Sequence, residues 1–229
     1  MQIEAVKVRR LYLQVAEQLS NFIGEGTLEP GQRLPSERDL ASQFCVSRPT
    51  VREAMIALEI AGLVEIRSGS GVYVHAGAGS SLSTGLAEEV PGPLEILEAR
   101  HAIEGETAAL AAARIDQDTL AALRRELNVI ADPSASTEKK EAADQQFHQL
   151  IAEASGNSAL HSTIIWLWDL RNRTQISRSF HQRLRRQGST PVVRDHTAIL
   201  EALEQGDAKA ARRQMHRHLQ RVLDLILAD

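Results

Sequence analysis

Between residues 11 and 75 the spacing of apolar residues changes from helical to alternating, which limits this segment to a small mixed domain. Apolar residues recur at helical spacing from Leu11 to Ile23 and predict a first helix. Ser36 and Ser47 are typical N-cap residues, and each precedes a further helical pattern. Residues 63–74 then alternate on either side of a Ser-Gly-Ser-Gly turn, which predicts a β-hairpin. Three helices followed by a hairpin are typical of a winged helix-turn-helix.

The rest of the chain carries helical patterns. Residues 77–92 are rich in Gly, Ser and Pro and predict a linker. Beyond them, Ala- and Leu-rich amphipathic segments separated by turn signals predict about six helices. The breaks lie near Asp116, Asp132-Pro133, Gly156-Asn157, Gly188 to Pro191 and Gly206-Asp207. The sequence therefore predicts a mainly α fold, with a winged helix-turn-helix over residues 1–76, a linker over 77–92 and an antiparallel all-α bundle over 93–229.

Composition and charge exclude several classes of protein. The sequence has no apolar run close to the roughly 18 residues of a membrane span, and residues 1–10 lack the apolar core of a signal peptide. Because of these absences we do not expect contact with a membrane. The single cysteine, Cys45, excludes an intrachain disulfide, which fits a reducing compartment, so we expect a cytoplasmic protein. The formal net charge is −4, and residues 1–75 hold eight Lys and Arg against nine Asp and Glu. Any binding to DNA must therefore rest on local placement of positive charge.

The last helix of the predicted helix-turn-helix begins with residues suited to DNA. Such a helix enters the major groove with its first turns closest to the bases, and here these turns hold Ser47, Arg48, Thr50 and Arg52. Arg48 and Arg52 are four residues apart and share a face, so both guanidinium groups can reach guanine. Arg38 on the preceding helix can reach the same surface. The alternative is that these arginines form an ordinary solvated face.

Residues 9–75 resemble the DNA-binding domain of GntR-family regulators, above all in the sequence PGQRLPSERDLASQFCVSRPTVREAMIALEIAGLVEIRSGSGVYV. The resemblance covers the helix caps, the arginines and the wing in order. It implies operator contacts by residues of both helices and the wing, namely Arg38, Ser47, Arg48, Thr50, Arg52, Ser68 and Gly69. Pro49 stands where many members carry Thr or another small polar residue, so the contact made by that residue is not expected here.

A second group of candidate residues lies in the predicted bundle. Asp144 and His148 are four residues apart, so both side chains lie on one face of a helix. His196 begins a later helix, and His218 lies on the apolar stripe of the last helix, whereas His216 falls off this stripe and is expected to be exposed. One Asp and three His suit Zn²⁺, Ni²⁺ or Mn²⁺. The alternative is a set of buried histidines bonded to carboxylates.

The predicted bundle resembles the FCD ligand-binding domain of the FadR branch of GntR regulators. Three segments carry this resemblance: LEILEARHAIEGETAALAA, ADQQFHQLIAEASGNSAL and DHTAILEALEQGDAKAARRQMHRHL. It implies a divalent metal held by Asp144, His148, His196 and His218. It also implies that Arg100, on the first helix of the bundle, binds the carboxylate of a small effector.

A basic run from Arg171 to Arg186 holds six arginines and no acidic residue. A solvated or crossing-helix face is the ordinary explanation. Two alternatives stay open: Arg171 or Arg173 contributes to an anionic pocket, or the run is a second surface for DNA. Trp166 and Trp168 are predicted to pack in the core or in a dimer interface.

Within the FadR branch, three segments, RRLYLQVAEQL, PGPLEILEARHAIE and WLWDLRNR, resemble hexuronate-pathway repressors of the exu/uxu kind. This resemblance implies a repressor that is relieved by a galacturonate-, glucuronate- or fructuronate-like acid. We further expect a homodimer whose two recognition helices bind a short palindromic operator. Two alternatives are a regulator of another organic-acid pathway and a structural protein that bridges DNA. A third is a metal-dependent enzyme acting on a sugar acid, but no general base or nucleophile is evident beside the candidate ligands, so we do not expect an enzyme.

Overall fold

The computed structural model describes residues 10–67, 69–75, 91–173, 177 and 193–227. The chain divides into two compact units, with a boundary between Gly92 and Pro93.

The first unit has three helices and a two-stranded hairpin in its described residues. These elements are α1 (Leu11–Gly24), α2 (Glu37–Phe44), α3 (Arg48–Ile60), β1 (Val64–Arg67) and β2 (Gly71–Val74). The strands are antiparallel, with Val64 opposite Val74. The loop before α2 extends this small sheet, because the Leu34 N–H donates to the Val72 carbonyl at 2.8 Å. The predicted winged helix-turn-helix is confirmed.

Side-chain caps begin α2 and α3, and a short turn joins the two helices. The Ser36 hydroxyl accepts a hydrogen bond from the Asp39 N–H at 3.2 Å and caps α2. The Ser47 hydroxyl accepts from the Thr50 N–H at 3.3 Å and caps α3. Between these helices Cys45 adopts a left-handed conformation with φ 53°, which ends α2 and allows a short turn. The first turn of α3 therefore begins directly after α2.

The second unit is a helical bundle. In the described part of the chain its helices are α4 (Pro93–Ala112), α5 (Gln117–Ala131), α6 (Thr137–Ala154), α7 (Ser158–Arg173), α8 (Val193–Glu204) and α9 (Ala208–Leu227). Four of the predicted breaks separate these helices, whereas the break at 188–191 lies outside the described residues. Among the described helices, none is both long enough and apolar enough to cross a membrane. The mainly α fold class is confirmed.

Helix α4 lies at the centre of the bundle. It packs chiefly against α9 and also contacts α6, α7 and α8. It comes close to α9 at Gly105, where a Cβ would overlap the His216 ring. His216 is therefore half-buried and stacks on His101 with ring centroids 4.8 Å apart. The expectation that His216 is exposed is wrong, because the absence of a side chain at Gly105 lets its ring pack on α4.

Candidate functional site

Two arginines of the first unit face solvent near the start of α3. Arg38 is 86 % exposed, and its Nε lies 4.0 Å from an Asp39 carboxylate oxygen. Arg48 is also exposed, in the first turn of α3. Both guanidinium groups can therefore meet a large anionic ligand without first leaving a buried position.

Arg52, predicted to reach DNA from the same face as Arg48, has its guanidinium turned toward a carboxylate of α2. Its Nε donates to Glu37 Oε1 at 2.8 Å, and its Nη2 contacts the other carboxylate oxygen of Glu37. The Arg52 side chain is 13 % exposed. Such a two-point ion pair has a fixed geometry. Arg52 therefore ties α3 to α2 and holds the first turn of α3 in place.

The remaining predicted DNA-contacting residues lie at the start of α3 and at the tip of the wing. The hydroxyl oxygens of Ser47 and Thr50 are 2.8 Å apart, so each hydroxyl already has a partner. Gly69 is exposed and has φ 69°, a conformation that favours glycine in this tight turn. Ser68 lies outside the described residues.

The four predicted metal ligands lie together inside the second unit. Each of Asp144, His148, His196 and His218 offers one donor atom, and these atoms lie within 4.8 Å of one another. They come from α6, α8 and α9, each of which contacts α4. The three histidines are buried, and the side chain of Asp144 is 13 % exposed. Donor atoms this close can share one cation.

Contacts within the cluster support a place for an ion. His196 Nε2 lies 2.8 Å from Asp144 Oδ1. His148 Nε2 lies 3.8 Å from the same oxygen, and this buried nitrogen has no hydrogen-bond partner among the described residues. A buried polar atom without a partner is costly unless something binds it. Three imidazoles and one carboxylate suit a divalent transition metal better than Ca²⁺ or Mg²⁺.

The cluster also has suitable protonation states. Burial raises the pKa of Asp144, but the hydrogen bond with His196 and the nearby His148 and His218 lower it well below its usual value. Burial and the neighbouring His196 and His148 lower the pKa of His218. At neutral pH Asp144 is therefore ionised and His218 is neutral, which are the forms that bind metals.

Glu104 on α4 joins Arg100 to the cluster. Arg100 Nε donates to Glu104 Oε1 at 2.6 Å, and Glu104 Oε2 contacts His148 Nδ1. Burial raises the pKa of Glu104, but Arg100 and His148 outweigh this effect and lower it to about 2. Sequence analysis missed Glu104, although its four-residue spacing from Arg100 on one helix signals an ion pair.

Trp168 packs against both Arg100 and His148. It is buried, its ring lies 5.5 Å from that of His148, and the Arg100 guanidinium lies 3.9 Å from its ring centroid. Its predicted packing role therefore fits the structure, whereas Trp166 is 50 % exposed.

Arg171 and Arg173, both predicted as possible effector contacts, have different surroundings. Arg171 lies 4.8 Å from the ring centroid of Trp168, and its Nη2 is 3.5 Å from Glu141 Oε1. Arg173 is 62 % exposed and lies near Asp169. The later arginines of the basic run, from Arg178 to Arg186, lie outside the described residues.

A second carboxylate missed by sequence analysis lies beside His218. Asp195 is buried, and its Oδ2 lies 2.8 Å from Arg221 Nε and 4.0 Å from His218 Nδ1. Its position directly before His196 was the signal available in the sequence. Glu104 and Asp195 thus each pair with an arginine, and each lies beside a histidine of the cluster.

Comparisons with known proteins cover both units. The family "Bacterial regulatory proteins, gntR family" matches residues 11–74, and the "FCD domain" matches residues 95–221. The chain is 35 % identical to the Uxu operon transcriptional regulator of Escherichia coli K12, over 97 % of this chain and 89 % of that protein.

Two further relatives are nearly as similar. The Exu regulon transcriptional regulator of E. coli K12 is 32 % identical, over 95 % of this chain and 85 % of that protein. A protein of E. coli K12 described as a putative L-lactate dehydrogenase operon regulatory protein is 35 % identical, over 92 % of this chain and 84 % of that protein. The chain therefore belongs to the GntR family of bacterial transcriptional regulators, in the branch with an FCD domain, and is a regulator rather than an enzyme.

Proposed function

We propose that this chain represses genes of sugar-acid catabolism and leaves its operator when a hexuronate-like acid binds beside a divalent metal. The observation that carries this proposal is the buried Arg100 guanidinium, joined through Glu104 to a histidine of the four-residue cluster. In this proposal an anion-binding group and a set of metal donors would share one interior site.

The metal would be held by Asp144, His148, His196 and His218, with Zn²⁺, Ni²⁺ or Mn²⁺ as the candidates. A bound divalent ion would offer open positions to the carboxylate and hydroxyl oxygens of an acid. The ionised Asp144 and neutral His218 support this assignment, because both already have the protonation state that a ligand needs.

Arg100 would bind the carboxylate of the acid. Within the described residues its hydrogen bond to Glu104 uses only Nε, which leaves the terminal NH₂ groups for a second carboxylate. Its guanidinium also packs on the ring of Trp168, 3.9 Å from the ring centroid. Arg171 would assist from the same tryptophan, whereas the exposed position of Arg173 gives it a weaker case.

The names of the relatives support a hexuronate such as galacturonate, glucuronate or fructuronate. A second candidate is a smaller hydroxy acid of the lactate type. The chain is 35 % identical to a putative L-lactate dehydrogenase operon regulator, the same identity as to the Uxu operon regulator. Both kinds of acid offer one carboxylate and at least one hydroxyl group.

DNA binding would be carried by residues 1–76, with 77–92 as the linker and 93–229 as the sensor. A homodimer would place two copies of α3 in successive major grooves. The operator contacts would be Arg38, Ser47, Arg48, Thr50, Ser68 and Gly69, and Arg52 would join them only by leaving its ion pair with Glu37. The acid would release DNA only if it binds more tightly to the conformation that is incompetent for DNA.

Calorimetric titration of the full chain tests the sensor. We expect Zn²⁺-loaded protein to bind a hexuronate, and chelator-treated protein to bind it at least tenfold more weakly, a difference of about 1.4 kcal/mol. Galacturonate, glucuronate, fructuronate, L-lactate and a neutral hexose form the panel. Binding of the neutral hexose as tightly as any acid would contradict the carboxylate role of Arg100.

A further inference from the structure

We propose that Glu104 is a positioning residue that sets the tautomer of His148 and aligns this metal ligand with Arg100. The inference rests on the proposed metal site, but it concerns a residue outside the four donors.

Both oxygens of the Glu104 carboxylate are engaged. Oε1 accepts from Arg100 Nε at 2.6 Å, and Oε2 contacts His148 Nδ1. An ionised carboxylate only accepts hydrogen bonds, so the proton of a neutral His148 must lie on Nδ1. Nε2 then carries the lone pair, and it is this atom that lies 3.8 Å from Asp144 Oδ1 within the cluster.

Burial shields the contact between Glu104 and His148 from water. Glu104 is 2 % exposed, and the side chain of His148 is fully buried. Water therefore cannot easily replace the carboxylate as the partner of Nδ1. A carboxylate behind a metal-bound histidine fixes the ring orientation and raises the basicity of the donor nitrogen.

The same carboxylate also holds the proposed acid-binding group. Arg100 and Glu104 lie one turn apart on α4, whereas His148 lies on α6. Because one carboxylate contacts both Arg100 and His148, a shift of the guanidinium toward an acid would act on the orientation of the metal ligand. Glu104 would therefore couple the affinity for the acid to the affinity for the metal.

The substitution Glu104→Gln tests this role while keeping the shape of the side chain. A glutamine can accept from one neighbour, but its NH₂ group then faces the N–H of the other neighbour. We expect the Zn²⁺ affinity, measured by competition with a chromophoric chelator, to fall about 10- to 100-fold. The matched control is Glu106→Gln, on the same helix, where an exposed glutamate pairs with Arg212 on α9. This control should leave the Zn²⁺ affinity unchanged.

A second measurement uses the unsubstituted protein and so does not depend on how the variant folds. In ¹⁵N-histidine spectra of the Zn²⁺-loaded full chain, we expect His148 to carry its proton on Nδ1 and to bind zinc through Nε2. The opposite tautomer would overturn the inference. Equal Zn²⁺ affinity of Glu104→Gln and the unsubstituted chain would also overturn it, while leaving the proposed metal site intact. Failure of the unsubstituted chain to bind Zn²⁺ would overturn both.

Discussion

Stabilisation of the sensor by zinc should depend on His218 and not on its neighbour His216. The four donors come from α6, α8 and α9, so an ion at this site would hold three helices of the bundle together. The unfolded chain has no such preformed set of donors. At a free Zn²⁺ concentration 100 times the Kd, binding should therefore stabilise the folded state by about 2.7 kcal/mol. For a unit of this size that corresponds to a rise in Tm of about 5 to 10 °C.

His218→Ala and His216→Ala form a matched pair on α9. His218 is buried within the cluster, so its alanine variant should lose most of the rise in Tm on adding zinc. His216 stacks on His101 on another face of the helix, so its variant should keep the rise, whatever its metal-free Tm. The comparison within each variant separates loss of a ligand from loss of packing.

Differential scanning calorimetry of the full chain, with chelator and with Zn²⁺, gives the two Tm values for each protein. An equal rise in both variants and the unsubstituted chain would refute the assignment of His218 as a ligand. A rise that disappears only in His216→Ala would show that the ion binds at another place.

Three other substitutions, the last with a control variant, address the DNA surface, the core and the acid site. Arg48→Ala should weaken binding to the specific operator by about 1–3 kcal/mol in fluorescence anisotropy; an equal loss on random DNA would contradict base recognition. Phe147→Ala should lower the free energy of unfolding by about 3–5 kcal/mol in urea titrations, because this side chain is fully buried; a loss below about 1 kcal/mol would contradict its core position. Arg100→Gln should lower the affinity for the acid by about 1.5–3 kcal/mol in calorimetry, whereas Arg173→Gln should not; equal losses would mean that the exposed arginine binds the acid.

Features that depend on neighbouring residues could be predicted from the sequence. Ser36 and Ser47 cap α2 and α3 as expected, because an N-cap acts over only three residues. The hairpin follows from alternation around a glycine-containing turn. Asp144 and His148 share a face because the helical repeat places residues four apart together.

Features that depend on packing between distant segments could not be predicted from spacing alone. The contact between Glu104 and His148 joins residues 44 positions apart. The pairing of Arg52 with Glu37 spans 15 positions, and nothing in the local pattern around Arg52 indicates that its guanidinium turns toward α2. Spacing does not define how α6, α8 and α9 pack. The convergence of His196 and His218 on Asp144 could therefore be predicted only from the family resemblance.

Release of DNA by a hexuronate in the presence of metal is the most direct test of the proposed function. Fluorescence anisotropy would follow the full chain bound to labelled DNA from its own promoter region, during titration with galacturonate, glucuronate or fructuronate. We predict that at least one of these acids releases the DNA from Zn²⁺-loaded protein, and that chelator or Arg100→Gln raises the acid concentration needed for release about tenfold or more. Release that is equally strong with chelator, or no release by any of the three acids, would contradict the proposed function.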